Sequence, residues 1–182
     1  MKSISNEKNL KSKKILLRLD LNVPLYQGII TDTTRIDKIL PTLNFLIKEK
    51  AKIIILSHVG RPKGKIVKEL SLKPICEELQ NKLRKKVKLI SENIKEIKSK
   101  DFFSGFNEDI FILENIRFYS EEEQNDNKFA ELISNFGDIY VNEAFSCSFP
   151  YVGRDQEYHL ISRQDLEICI EQGIGNKHIC CP

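Results

Sequence analysis

No stretch of this chain approaches the roughly 20 consecutive apolar residues of a membrane span, although 41% of its 182 residues are hydrophobic. The opening segment, MKSISNEKNLKSKK, lacks the apolar centre of a signal peptide. A protein without membrane contact is therefore expected, working in the cytoplasm as a monomer. An excess of one charge is also missing. Against 26 acidic residues stand 29 basic ones, for a net charge of +3, too balanced for nucleic-acid binding by bulk electrostatics. The lysines are scattered without interleaved aromatics and read as solvated faces, so no nucleic-acid partner is expected. The five cysteines, two of them adjacent at Cys180 and Cys181, fit neither a disulfide framework nor a zinc site and read as reduced thiols. No metal-ligand spacing occurs. The patterns GxxxxGK[ST], GxGxxG and GxSxG are absent, which removes the common phosphate-loop, dinucleotide and serine-nucleophile signatures.

Arginine is scarce too, with 7 residues against 22 lysines. A rigid guanidinium fork suits carboxylate and phosphate in a way an ammonium does not, so each arginine in such a chain has to be accounted for. Composition also breaks near residue 149. Of the 22 lysines, 21 precede it, while three of the five cysteines follow it. Residues 1–148 read as one globular domain with enough chain for a core. Residues 149–182 show poor periodicity and read as an atypical, poorly ordered tail.

The body alternates between two patterns. Apolar runs at 14–21 (KILLRLDL), 52–56 (KIIIL), 87–90 (VKLI), 109–113 (DIFIL) and 138–141 (DIYV) predict five strands. Helical spacing of Ile36, Ile39, Leu40, Leu43 and Ile47 predicts a helix within 31–50, capped by Thr31 or Asp32 and kinked at Pro41. Further helices are predicted over 71–86, with Ser71 as cap and Pro74 in the first turn, and over 126–136. Residues 91–107 show only a short helical piece around Ile94–Ile97. Continuously apolar strands alternating with helices predict an α/β fold, a parallel sheet covered on both faces. Ligands of such sheets bind beyond the carboxyl ends of the strands.

Those ends carry Asp20 and Asn22, then Ser57, His58, Gly60 and Arg61, then Glu114, Asn115 and Arg117, then Asn142 and Glu143. Arg35 starts the first helix on the same side. Each has an ordinary reading. Asp20 and Asn22 can form a turn before Pro24, or Asp20 can pair with an arginine. His58 can be a satisfied loop histidine. Gly60, Pro62 and Gly64 can merely shape a turn, or let backbone N–H groups approach an anion. Arg35 can be a solvated residue, poorly placed at the positive end of a helix dipole unless an anion binds there. Arg117 can pair with Glu114 or with the Glu121–Glu123 run, which itself reads as a solvated loop. Together, three arginines, a histidine and an Asp/Asn pair predict a positive pocket for a small polyanion carrying carboxylate or phosphate.

The segments RLDLNVP, ITDTTRI, LPTLNFL, SHVGRPKG, SLKPICEEL, LENIRFYSEEEQND and DIYVNEAFS resemble, in order and spacing, those of phosphoglycerate kinase, over about residues 13 to 148. The resemblance implies the substrate-binding N-terminal domain of that fold, a Rossmann-like parallel sheet. It implies phosphoryl transfer between 1,3-bisphosphoglycerate and ADP, giving 3-phosphoglycerate and ATP in glycolysis. By motif match, Asp20 and Asn22 would hydrogen-bond the carboxylate end and hydroxyl of the substrate. His58, Arg61 and Arg117 would hold its phosphate, and Arg35 would stabilise the phosphoryl group in flight, as the catalytic residue. Leu21, Val59 and Gly60 lie inside the same substrate-binding segments. No metal site and no cofactor of this chain's own is implied. Magnesium ADP or ATP belongs to the second, nucleotide-binding domain of the full-length family.

Two departures stand out. Family members normally continue with a His-Arg-Ala-His stretch whose arginine is another phosphate ligand, and here Phe149-Pro150-Tyr151-Val152 stands instead. No sequence resembling the nucleotide domain follows. The tail is expected to be out-of-frame translation after a frameshift, with a genuinely shortened variant as the alternative. The chain alone is expected not to turn over, with the nucleotide half, if any, encoded separately. A non-catalytic 3-phosphoglycerate-binding module and a non-functional fragment are the competing readings.

Overall fold

The computed structural model describes Ile4, residues 7–100, 102–104 and 106–144, and the backbone of Ile179–Cys180. Eight strands are present among them: β1 (Lys14–Arg18), β2 (Leu25–Tyr26), β3 (Ile29–Ile30), β4 (Lys52–Leu56), β5 (Lys88–Ile90), β6 (Ile110–Leu113), β7 (Ile139–Asn142) and β8 (Ile179–Cys180). The helices are α1 (Thr34–Lys48), α2 (Lys73–Leu83), α3 (Ser120–Glu123) and α4 (Asn127–Ser134), with short 3-10 turns between. One sheet has the order β5-β6-β4-β1-β7-β8, with every neighbouring pair parallel. All five strands predicted from apolar runs are in it. The predicted tail lies outside the described residues, apart from β8 beside β7.

The apolar runs make this sheet because both of its faces are covered. Along β1, Ile15 and Leu17 join one buried cluster and Leu16 the other; along β4, Ile53 and Ile55 oppose Ile54 and Leu56 in the same way. Strand side chains alternate, so a sheet buried on both faces needs no polar position. On the first face, α1 contributes Ile36, Ile39, Leu43 and Leu46, and α2 contributes Ile75, Cys76 and Leu79. On the second, α4 contributes Phe129 and Ile133, beside Phe102, Phe111 and Phe136. The Phe102 ring meets Phe111 and Phe136 edge to face at 5.3 and 5.2 Å. Removing the fully buried Phe111 ring would cost about 3–5 kcal/mol, a large part of a typical domain's stability.

The N-cap of α1 is Thr33 and makes no side-chain cap bond, a correction to the expected Thr31 or Asp32; Asp32 Oδ1 instead accepts the Thr34 N–H at 2.7 Å in a turn just ahead of the helix. The helix runs unbroken through Pro41, which is solvent-exposed. Ser71 Oγ accepts the Lys73 N–H at 3.1 Å at the start of α2, and Asp126 accepts the Phe129 N–H at 2.8 Å at the start of α4. The β2–β3 hairpin was not anticipated. It turns on Gln27 and Gly28, both at positive φ, the geometry of a two-residue primed turn. Three lysines lie over aromatic rings: Lys14 and Lys52 lie 5.5 and 4.9 Å from the Phe103 ring centre, and Lys88 lies 4.0 Å from that of Phe106. Each is the first residue of its strand, at the sheet edge away from the strand ends compared below.

Candidate functional site

The register brings the strand ends level. Arg18, the last residue of β1, stands opposite Leu56 of β4 and Asn142 of β7. The residues that follow these strands therefore share one edge. Ser57 fixes the spacing there. Its buried Oγ donates to the Leu19 carbonyl at 2.7 Å and accepts the Leu21 N–H at 3.1 Å. Beyond it the rim forms a continuous chain of contacts. Arg35 donates to Asp20 Oδ2, and Asp20 Oδ1 accepts the Asn22 N–H at 3.3 Å. Asn22 Oδ1 accepts the Gly60 N–H at 2.9 Å. The Gly60 carbonyl in turn accepts from Arg117 Nη1 at 3.5 Å. Asp20 thus supplies the negative charge that a guanidinium near the α1 N-terminus requires.

Behind this rim lie three buried side chains, Arg18, His58 and Glu122, beside part-buried Arg117. Arg18 donates from Nη2 to Glu122 Oε1 at 3.1 Å, with both side chains 4% exposed. Arg117 Nε lies 3.4 Å from Glu122 Oε2, close enough to pair but not aligned for a hydrogen bond. His58 is buried beside them. Burial drives its imidazole down from the ordinary 6.5 to about 3, and the guanidiniums of Arg18, Arg117 and Arg35 push the same way against Asp20. His58 is therefore neutral near pH 7 and can serve the cluster as a hydrogen-bonding group. Arg18 Nη1, Arg117 Nε and His58 Nδ1 are all buried without a hydrogen-bond partner. Buried polar atoms are rarely left so, and two guanidinium nitrogens among them can only donate. The arrangement suits an acceptor with negative charge.

The loops carrying these groups are held by glycines and buried polar bonds. Gly60 and Gly64 have φ of +64° and +69°. A Cβ at Gly60 would come within 2.7 Å of the Leu70 side chain, and one at Gly64 within 2.9 Å of Ser120 Cα. Gly64 N–H also donates to the Arg117 carbonyl at 3.2 Å. Asn115 Nδ2 donates to the carbonyls of Val59 and Leu70 at 2.7 and 2.9 Å. Glu114 accepts from Ser71 Oγ and the Leu72 N–H at 2.7 and 2.8 Å, so it caps α2 and is not the partner of Arg117. At the next strand end, Glu143 Oε1 accepts from Thr42 Oγ1 at 2.9 Å, and burial raises its carboxyl from 4.5 to about 7.

The structure thus brings together Asp20, Asn22, Arg35, His58, Gly60 and Arg117. Arg61 lies exposed in the loop next to Gly60. Leu21 and Val59 are buried in the core, which leaves only their backbone for a ligand. The solvated loop expected at Glu121–Glu123 is a correction: these residues are in α3, and Glu122 is 6% exposed. Arg18 and Glu122 were both missed. A signal for Arg18 existed, since a charge between Leu17 and Leu19 in a doubly covered strand must find a partner. Nothing in the acidic triplet marks which member that partner is.

The family model described as phosphoglycerate kinase matches residues 5–151. A phosphoglycerate kinase from Wolbachia pipientis subsp. Culex pipiens is 48% identical over 137 residues, covering 75% of this chain and 34% of its own length. One from Dictyoglomus turgidum is 44% identical over 139 residues, covering 76% and 35%. Among solved structures, phosphoglycerate kinase from Coxiella burnetii matches with a TM-score of 0.70 at 38% identity, over 80% of this chain and 36% of that one. The enzyme from Pyrococcus horikoshii matches with 0.68 at 28% identity, over 81% and 38%. The chain spans about a third of the length of the curated relatives it matches.

Proposed function

The chain belongs to the phosphoglycerate kinase family, and from that premise we propose that its 182 residues bind 3-phosphoglycerate or 1,3-bisphosphoglycerate and form the substrate half of the phosphoryl-transfer site. The observation that carries this reading is the pair of buried nitrogens without a hydrogen-bond partner, Arg18 Nη1 and His58 Nδ1, beside the Asp20–Asn22–Gly60 rim that Arg117 joins through the Gly60 carbonyl. Arg117 and Arg61 then hold the phosphate, with neutral His58 as a hydrogen-bonding neighbour. Asp20 and Asn22 orient the carboxylate end and hydroxyl. Arg35, half-exposed at the mouth, faces the acyl phosphate and offsets charge on the phosphoryl group as it leaves. Transfer of this kind depends on positioning and charge neutralisation more than on covalent chemistry.

The other substrate, a magnesium nucleotide, needs its own binding surface. Among the described residues no group of His, Cys, Asp and Glu could hold a metal ion. On this reading the described residues bind without turning over, because transfer also requires ADP aligned with the acyl phosphate. A separately supplied nucleotide-binding half is the partner the chemistry calls for. The missing family arginine after residue 148 weakens phosphate binding further. No helix of the described residues is long and apolar enough to cross a membrane.

Two measurements test the reading. Titration calorimetry of the chain with 3-phosphoglycerate should give saturable binding in the millimolar range, and glycerate without its phosphate should bind far more weakly. Absence of saturation would overturn the substrate assignment. Mixing the chain with 1,3-bisphosphoglycerate and magnesium ADP should give no ATP. Catalytic ATP formation by the purified chain would overturn the division of labour.

A further inference from the structure

Glu122 is a negative charge placed behind an anion pocket, where simple electrostatics would make it a liability. It is buried, and its two oxygens serve two different arginines, Oε1 that of β1 and Oε2 that of the loop after β6. Desolvating such a carboxylate is expensive unless it is paired on both sides. The segment that carries it is also pinned. Gly64 packs on Ser120, two residues before Glu122, and its N–H bonds the Arg117 carbonyl. The loop after β4 and the helix bearing Glu122 are therefore in direct contact.

We propose that Glu122 is a positioning residue of the phosphate pocket: it fixes the Arg117 guanidinium from behind, against buried Arg18, so that the free edge of Arg117 meets the ligand in one orientation. The inference rests on the phosphoglycerate reading of the same site. Its physical content is an inversion of sign. Deleting a negative charge next to two guanidiniums should by itself strengthen anion binding. Loss of a fixed geometry weakens it, because an unanchored guanidinium must be ordered again at each binding event.

The test is calorimetric titration of the full chain with 3-phosphoglycerate, for the unsubstituted protein, Glu122→Gln, Arg117→Lys and the double variant. Glu122→Gln should bind about tenfold more weakly. Added to Arg117→Lys, it should change affinity less than twofold, since it acts through the residue already replaced. Equal or tighter binding by Glu122→Gln would overturn the proposal, as would full additivity in the double variant. A second measurement requires no substituted protein to fold. In the unliganded chain, the Arg117 Nε–H resonance should exchange slowly with water and stand apart from those of exposed arginines. A rapidly exchanging, averaged resonance would overturn the proposal. If the unsubstituted chain showed the slow Nε–H yet no saturable binding, the phosphoglycerate reading would fail and the inference with it. Binding with a fast Nε–H would sink the positioning role alone.

Discussion

The side-chain oxygen of Asn22 accepts the backbone N–H of Gly60 at 2.9 Å, joining the loop after β1 to the loop after β4. The bond spans 38 residues of sequence and sets the width of the rim. Asn22→Ala should lower stability by about 1 kcal/mol, the net worth of one such bond, and weaken 3-phosphoglycerate binding by more than that loss explains. Urea unfolding and calorimetry on the same variant separate the two effects.

The two rim glycines should differ in tolerance. Both hold positive φ, so alanine strains either. At Gly60 the added Cβ meets the movable end of Leu70; at Gly64 it meets Ser120 backbone. Gly60→Ala is expected to cost about 1 kcal/mol and Gly64→Ala about 2–3 kcal/mol, the latter with lost binding because the helix carrying Glu122 must shift. Denaturant midpoints give the order directly.

Arg35 should matter to binding and hardly to folding. Its ion pair with Asp20 leaves the arginine side chain 46% exposed, and exposed pairs contribute about 0–1 kcal/mol. Arg35→Ala should therefore melt within a few degrees of the parent chain. It should nonetheless lose affinity for 1,3-bisphosphoglycerate. Arg35→Lys should recover only part of it, since the ammonium lacks the fork. Melting curves paired with titrations check this.

The pH dependence of stability should contain two opposing contributions. His58 sits at about 3 in the fold against an ordinary 6.5. Its stabilisation is present above pH 6.5 and is lost as pH falls towards 3, because the unfolded chain takes up a proton that the fold refuses. The slope is at most about 1.4 kcal/mol per pH unit. Glu143 is raised from 4.5 to about 7, so its contribution is present below pH 4.5 and is lost as pH rises through 7. Between pH 4.5 and 6.5 the two act against each other. His58→Gln should flatten the acid limb below pH 4.5, and Glu143→Gln the limb between 6.5 and 7. Urea unfolding across pH 3–8 checks both, and an unchanged acid limb in His58→Gln would refute the buried, neutral assignment.

What was legible in the sequence follows from where the signal is local. The five long strands were legible because a strand covered on both faces has no polar position to obscure it, as KIIIL at β4 shows. Asp32 and Ser71 marked where their helices begin to within two residues, through turn bonds to Thr34 and Lys73, although the N-cap positions are Thr33 and Leu72. The β2–β3 hairpin was hidden because two-residue strands have no measurable periodicity. Its Gln27-Gly28 turn is also weaker than an Asn-Gly pair. The rim residues were legible as a set because parallel topology places strand ends together. The charge state of His58 was not, since it depends on burial and on Arg18, which arrives from another strand. Glu122 was read as solvated for the same reason: its partner is 104 residues away, beyond any pattern in the triplet itself.

The most direct measurement is a residue-resolved NMR titration of the full chain with 3-phosphoglycerate. The account predicts saturable amide shifts at Asn22, Gly60, Arg61 and Arg117, converging on one dissociation constant, with the far edge at Lys14, Lys52 and Lys88 unmoved. Shifts confined to other surfaces, or none up to millimolar ligand, would contradict it.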